Sequence, residues 1–314
     1  MVKLGILMDP ISSINIKKDS TFAMLLEAQK RDYEIYYMEI NDLYIYEGKA
    51  YANTYLLNVK KNYDNWYNLG KKQNIKLSDL DVILMRKDPP FNMQYIYSTY
   101  ILEYAEKEGT LIINKPQSLR DCNEKLHILW FNEFAPSTLV TCNKKHLKKF
   151  WQENVDIVIK PLNNMGGKSI FCIKKNDLNF SVIVETLTKE GRLFCMAQKY
   201  LPDIKYGDKR ILIINGEPIP YCLARIPKKG ENRANLRTGG IGQVQTLSKN
   251  DFELAKNIGS VLKDRGLIFV GLDIIGNKLT EINVTSPTGI CQIESAISIS
   301  ITSMLMDAIE KILH

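Results

Sequence analysis

The side chains best placed to do chemistry sit on thirteen residues near the C-terminal end, Gly271-Leu272-Asp273-Ile274-Ile275-Gly276-Asn277-Lys278-Leu279-Thr280-Glu281-Ile282-Asn283, which run on into Val284-Thr285-Ser286-Pro287-Thr288. Asp273, Glu281 and Asn283 interrupt two apolar runs joined by Gly-Asn-Lys, which reads as a hairpin. Hard divalent cations such as Mg²⁺ take a few oxygen ligands of this kind and share them with phosphate. Register decides whether the three converge. A two-residue turn at Gly276-Asn277 pairs Asp273 with Thr280 and turns Glu281 and Asn283 to the other face. A three-residue turn, Gly276-Asn277-Lys278, pairs Asp273 with Glu281 and Gly271 with Asn283, so that all three share one face. The longer turn is the expectation; the alternative is an edge hairpin with solvated acids.

Cations and a glycine loop lie elsewhere in the chain. Val158-Ile159-Lys160-Pro161-Leu162-Asn163-Asn164-Met165-Gly166-Gly167-Lys168-Ser169-Ile170 reads as strand, loop, strand. Small residues let backbone N–H groups close over phosphate oxygens, and Lys160 adds a cation at the strand end. The pattern is neither a Walker loop nor a Rossmann fingerprint, and Gly-Gly is often only a turn. Gln198-Lys199-Tyr200-Leu201 ends a strand and can offer backbone groups to a base edge. Arg210 and Arg225 can hold a carboxylate or a transferring phosphate by forked hydrogen bonds, or pair as surface ions. Arg86, at the charged end of the buried strand read over Asp81 to Pro90, is a candidate for substrate contact. No Ser/His/Asp or Cys/His set emerges from three histidines, so no covalent enzyme intermediate is suggested. Lysines, arginines, a glycine loop and an oxygen-ligand site fit phosphoryl transfer by positioning and charge neutralisation.

Elements must position these groups. The order strand 3–8, helix from Asp19 or Ser20 to about Arg31, strand 33–39, polar hairpin 43–59, strand 81–90 ending in charge and prolines, helix to about Glu108 and strand 110–114 predicts an open, mostly parallel sheet with helices on both faces. Ligands in such sheets sit at the carboxyl ends of strands. A helical linker, 118–131, carries Lys125. Short strands and helices alternate over 138–200, and two strands flank Asn215-Gly216-Glu217. A long loop, 227–246, reads as a functional lid. A helix from 248 to about 265, the hairpin and a last helix over 293–313 complete the chain.

With 45% hydrophobic and 25% charged residues over 314 positions, the chain has the composition of a globular protein of two or three domains. No apolar run reaches the roughly eighteen residues of a membrane span, and the N-terminus reads as a strand rather than a signal peptide. The net charge of +7 suits anionic partners. Without a compact basic block interleaved with aromatics, nucleic acid is disfavoured. Six scattered cysteines read as reduced thiols of a cytoplasmic protein.

Over nearly its full length the chain resembles the bacterial-type glutathione synthetases of the ATP-grasp superfamily. The stretches that carry this are Leu4-Gly5-Ile6-Leu7-Met8-Asp9-Pro10, Ile83 to Phe91, Asn114 to Asp121, Lys160-Pro161-Leu162, Tyr221 to Pro227 and Glu281 to Thr288. The resemblance implies an α/β ATP-grasp fold. A substrate-binding domain (1–122) with the open sheet would precede two α+β units that clasp ATP, a lid unit (123–202) and a metal-binding unit (203–314). It implies ATP-driven joining of γ-glutamylcysteine to glycine through a cysteinyl acyl phosphate, releasing ADP and phosphate. It further implies that Lys125 and Lys160 contact the ATP phosphates, that Asn164, Met165, Gly166 and Gly167 cover them, that Gln198, Lys199, Tyr200 and Leu201 line the adenine site, and that Asp208 takes the ribose. Arg210 and Arg225, with Lys160, would act in catalysis. Arg86, Arg225, Ser286, Pro287 and Thr288 would meet substrate, and Asp273, Glu281 and Asn283 would bind Mg²⁺, with Mn²⁺ as the other candidate. Arg233 and Asn235 would close over the intermediate, and the family is commonly a homotetramer. The chain departs from the family pattern at Asn163-Asn164, where Asp-Gly is usual, and at Cys291, where Arg is usual. A different acceptor for the same fold, or a silent nucleotide binder, are the alternative readings.

Overall fold

The computed structural model describes residues 1–314 except 229, 231–233, 235, 237 and 238. The first sheet is built from β1 (Lys3–Leu7), β2 (Glu34–Met38), β3 (Leu43–Tyr46), β4 (Lys49–Val59), β5 (Tyr67–Lys76), β6 (Val82–Met85) and β7 (Leu111–Ile113). Strand order is β3-β4-β2-β1-β6-β7, with β5 on the other side of β4. The inner strands β2, β1, β6 and β7 run parallel, and the β3–β4–β5 excursion is antiparallel. The open parallel sheet is thus as expected. Strand β5 was not: its Lys- and Asn-rich alternation is too polar to signal burial, and half of it is exposed.

Helix α1 (Ser20–Lys30) is capped by Asp19, whose carboxylate accepts the Phe22 N–H at 2.7 Å. Helix α2 (Met93–Lys107) crosses from β6 to β7. The linker is not one helix. A short α3 (Pro116–Asp121) breaks at Cys122, and Asn123 Oδ1 accepts the Lys125 and Leu126 N–H groups at 3.1 Å to start a new turn. That break turns Lys125 inward.

A second, four-stranded sheet follows: β8 (Thr138–Thr141), β9 (Ile157–Pro161), β10 (Phe171–Ile173) and β11 (Cys195–Lys199), ordered β10-β9-β11-β8, with α4 (Lys144–Asn154) and α5 (Phe180–Thr188). The third sheet orders as β14-β13-β12-β15-β16, from β12 (Asp208–Ile214), β13 (Glu217–Ile226), β14 (Ile241–Thr246), β15 (Phe269–Ile275) and β16 (Lys278–Asn283), with α6 (Lys249–Asp264). The expected loop over 227–246 is shorter than thought, because 241–246 pairs along β13 as a largely exposed edge strand. The expected last helix is two, α7 (Ile290–Glu294) and α8 (Ile301–Leu313). Apolar spacing runs through the break, but Ser300 caps a fresh start by accepting the Ser303 N–H. Among the described residues no helix is long and apolar enough to cross a membrane.

Cores divide unevenly. Two apolar clusters each draw on both the first and third sheets, joining Leu7, Ile83 and Met85 with Ile258, Val270 and Leu272, and Leu4, Ile6 and Leu84 with Leu212, Ile214 and Phe269. The second sheet keeps a core of its own around Leu147, Ile157, Ile159 and Val184. Met196 of β11 joins the first of the two shared clusters and Val140 of β8 packs against it, so the second sheet is also anchored to the rest. Asn114 bolts the first sheet to the third. Its amide donates to the carbonyls of Phe269 (2.8 Å) and Val284 (2.7 Å), and its Oδ1 accepts the Phe269 N–H (2.9 Å), all buried. Asn114→Ala orphans these groups, and the expected loss is about 3 kcal/mol of stability. Urea denaturation checks this; a loss below about 1 kcal/mol would contradict the bolt.

Candidate active site

The hairpin β15–β16 combines both turn alternatives. The turn itself is the two-residue one, with Ile275 opposite Lys278 and Ile274 opposite Leu279. The three-residue turn is therefore incorrect. Yet Asp273 lies opposite Glu281 and Gly271 opposite Asn283, because the register shifts at Thr280. One extra residue in β16 forms a bulge, which keeps Leu279 and Ile282 in the core while Asp273, Glu281 and Asn283 share a face. The bulge also turns the Thr280 carbonyl to Lys160 Nζ, 3.2 Å away, while the Thr280 hydroxyl donates to the Asp273 carbonyl at 3.1 Å. Gly271 must be glycine, since a Cβ there would come within 2.9 Å of Arg210 Cδ and 3.1 Å of Pro287 Cβ.

Two cavities adjoin this face, and a third continues from the second of them. The first, about 260 Å³, lies between the second and third sheets. Val158, Ile170, Phe171, Gln198, Lys199, Tyr200, Leu201 and Ile204 wall it, and Lys160, Asp208, Asp273, Thr280 and Glu281 line its polar side. The central one is lined by Asp88, Glu124, Met165, Gly166, Arg210, Arg225, Glu281, Asn283 and the 285–289 loop, and shares Glu281 with the first. The third, about 600 Å³, shares Asp88, Met165, Ser286 and Thr288 with the central cavity and reaches Asp9, Lys18, Asp19 and Arg86 on the first sheet.

The charges are buried and interlocked. Arg210 grips Asp273 with a fork, Nε to Oδ1 at 2.5 Å and Nη2 to Oδ2 at 3.0 Å, and donates Nη1 to the Thr288 carbonyl at 3.1 Å. Arg225 Nη2 bridges Asp208 Oδ2 (2.5 Å) and Asp273 Oδ1 (2.9 Å). Burial opposes ionisation of Asp273, but the two guanidinium groups outweigh it and hold the carboxyl well below the usual range. Asp208 goes the other way: burial pushes it up against the pull of Arg225. Asp208 Oδ1 and Arg225 Nε are buried without a partner among the described residues. A buried donor and acceptor left open at one place are what a polar ligand would satisfy.

Lys125 Nζ bridges Glu281 Oε1 (2.8 Å) and the Asn164 carbonyl (2.7 Å), tying the glycine loop to β16. Gly166 and Gly167 turn that loop at φ 66° and 77°, whereas neither Asn163 nor Asn164 takes positive φ. The departure from Asp-Gly therefore introduces no backbone strain. Cys291 donates its thiol to the Asp19 carbonyl at 3.2 Å. Arg86 is buried, with Nε on Thr21 Oγ1 (3.0 Å) and Nη2 on the Pro287 carbonyl (2.9 Å). It holds the 286–288 loop from one side as Arg210 holds it from the other, and Ser286 donates to Asp88. Arg233 and Asn235 lie outside the described residues. Glu124 was missed by sequence reasoning: it lines the central cavity, and burial, with the Glu281 charge beside it, pushes it up. Its one sequence signal was its place next to Lys125.

Oxygen donors alone make a hard-cation site. Among the described residues no three His, Cys, Asp or Glu side chains cluster closely enough to hold a metal. Asn283 must complete any set made by Asp273 and Glu281, and phosphate oxygens or water the rest. The donors present fit Mg²⁺ or Mn²⁺ on that footing.

Burial pushes the Lys160 ammonium down to about 8, against the nearby Glu281 charge. The folded value lies below the unfolded one, so folding favours the neutral form. Stability therefore rises with pH between about 8 and the usual lysine range. An anion bound beside Lys160 restores the proton. ATP binding at pH 8 is expected to take up a fraction of a proton, read calorimetrically as an enthalpy that varies with buffer ionisation heat, and Lys160→Met should abolish it. Buffer-independent heats in the native protein would contradict this.

Comparison with known proteins agrees with this geometry. The description "Prokaryotic glutathione synthetase, N-terminal domain" matches residues 2–120, and "Prokaryotic glutathione synthetase, ATP-grasp domain" matches 124–298. The glutathione synthetase of Salmonella typhimurium is 64% identical over 310 residues, covering 99% of this chain and 98% of that protein. The Escherichia coli K12 enzyme is 62% identical over the same extent. Distant solved structures share the fold: D-cycloserine synthetase DcsG (TM-score 0.70, 13% identity, 99% of this chain and 100% of that one) and D-alanyl-alanine synthetase A of Vibrio cholerae (0.63, 11%, 99% and 98%). The chain belongs to the prokaryotic glutathione synthetase family.

Proposed function

We propose that this site joins γ-glutamylcysteine to glycine, with ATP as the energy source and Mg²⁺, or Mn²⁺, as the metal. The enzyme is an ATP-dependent ligase that makes glutathione and releases ADP and phosphate. The observation that carries the assignment of the site is Glu281, which lines both the first and the central cavity. A phosphate held at Glu281 would stand between a nucleotide in the first cavity and a phosphoryl-accepting carboxylate in the central one.

In this reading Val158, Phe171 and Leu201 enclose the adenine, Asp208 Oδ1 accepts from the ribose, and Lys160 and Lys125 contact phosphate oxygens. Asp273, Glu281 and Asn283 would hold the metal, which would supply neutralisation of the phosphate charge. Lys125, released from Glu281, would turn to the phosphates, carrying Asn164 and the glycine loop with it. Arg210 and Arg225, rigid in their carboxylate frame, face the developing charge of the cysteinyl acyl phosphate. The third cavity, with Asp19, Lys18 and Arg86 around it, has the size and mixed charge for the γ-glutamyl end. The glycine loop and the segment carrying Arg233 and Asn235 would shield the acyl phosphate from water. Six free cysteines suit a reducing cytoplasm. A homotetramer belongs to the same reading, and sedimentation measures it.

The test is ADP release with Mg-ATP, γ-glutamylcysteine and glycine, each omitted in turn, with tripeptide measured by chromatography. Tripeptide and ADP in equal amounts, both dependent on glycine, is the expected result. ADP release indifferent to glycine, with no tripeptide, overturns the proposal.

A further inference from the structure

Peptide-bond formation needs something the roles above do not supply. Glycine arrives at neutral pH as an ammonium, and an ammonium has no lone pair. Some group near the acyl phosphate must bind that cation and accept its proton. Carboxylates lining the central cavity are Asp88, Glu124 and Glu281. Glu281 is engaged by Lys125 and belongs to the metal set. Asp88 accepts from Ser286, and its own N–H is held by Asp9 Oδ2 at 2.9 Å.

Glu124 differs in how its two oxygens are used. Oε1 accepts three hydrogen bonds, from the Val284 N–H (2.9 Å), the Thr285 N–H (3.0 Å) and the Thr285 hydroxyl (2.8 Å). Its own carbonyl accepts the Ile282 N–H at 2.9 Å. The side chain is thus clamped to the strand end that follows Glu281 and Asn283. Oε2 carries no hydrogen bond among the described residues, yet it is not a sealed orphan, since the residue lines the central cavity with Arg210, Arg225 and Glu281. One oxygen fixes the group and the other is presented to the reacting space.

We propose that Glu124 is a catalytic residue whose Oε2 receives the glycine ammonium and takes its first proton. The freed nitrogen lone pair attacks the cysteinyl acyl-phosphate carbon. The C–N bond forms, and the C–O bond to phosphate breaks with its electron pair on phosphate. The second nitrogen proton leaves with hydrogen phosphate, and Glu124 returns its proton to water. This assignment rests on the ligase reading of the site, and the experiment separates the two.

Glu124→Gln is the informative variant, because a glutamine Oε1 still accepts the three clamping bonds and only the free oxygen becomes an NH₂. Acyl-phosphate formation is read alone, without glycine, as positional isotope exchange in ATP that depends on γ-glutamylcysteine. Its presence in the native enzyme supports the ligase reading whatever Glu124 does. In Glu124→Gln this exchange and Mn²⁺ binding by electron paramagnetic resonance are expected within twofold of native. kcat/KM for glycine should fall at least thirtyfold, while trapping of the acyl phosphate by hydroxylamine, a nucleophile already neutral at pH 7.5, should fall less than threefold. A glycine reaction within twofold of native overturns the proposal. So does an equal fall in isotope exchange, which makes Glu124 purely structural, or lost Mn²⁺ binding, which makes it a metal ligand. Glu124→Asp, which keeps the charge but withdraws it by one carbon, gives the same glycine-to-hydroxylamine ratio should the glutamine variant not fold; an unchanged ratio there also overturns it.

Discussion

Glu281→Gln is expected to lower turnover about a thousandfold, roughly 4 kcal/mol of barrier, while the protein stays folded. Two losses combine. The amide is a poor ligand for a hard cation, and it no longer attracts Lys125, whose Nζ lies 2.8 Å from Oε1. Burial works against the Lys125 ammonium, but Glu281 overcomes it and lifts the group above its ordinary range. Removing that carboxylate leaves an ammonium with a carbonyl partner alone, and a depressed Lys125 should weaken ATP binding as pH rises. The fold stands because Glu281 is only partly buried and its neighbours Thr280 and Ile282 hold the strand. ADP release at saturating Mg-ATP measures the effect, with circular dichroism as the fold control. Activity within threefold of native would remove Glu281 from the metal set.

Arg225→Lys is expected to lower kcat about a hundredfold with the charge kept, because the loss is of geometry. One guanidinium nitrogen serves Asp208 and Asp273 together. A lysine ammonium, a point charge on a shorter flexible stem, cannot sit between both carboxylates and also present a second N–H where Arg225 has its open Nε. Arg225→Met goes further, leaving two buried carboxylates to share Arg210, and the expected loss is about 3–5 kcal/mol of stability. The burden falls on Asp208, already pushed up, so this variant should recover part of its stability as pH falls and Asp208 protonates. Thermal unfolding between pH 8 and 5.5 reads this. A methionine variant that loses stability steadily over that range would show that Asp208 does not need Arg225 to stay ionised.

The chain's own letters determined most of the site's membership. Oxygen donors at 273, 281 and 283, arginines at 210 and 225 and the lysine at 160 are recognisable as candidates because burying charge inside apolar strands has few purposes, whereas Lys125 entered through the family resemblance. They determined the parallel inner sheet, through runs of apolar residues between helices, and narrowed the first helix cap to Asp19 or Ser20, between which the structure chose Asp19. What tertiary structure alone decided is how those residues meet. Local pattern offered two turns with opposite consequences for Glu281, and the fold took the shorter turn plus a bulge at Thr280, since only that combination keeps Leu279 and Ile282 buried and the acids together. Strand β5 and edge strand β14 are rich in polar residues and pair largely through backbone, which leaves little trace in side-chain pattern. Glu124 stayed invisible for a different reason: its place comes from three bonds to residues 160 or more positions away, a relation that no reading of neighbouring residues contains.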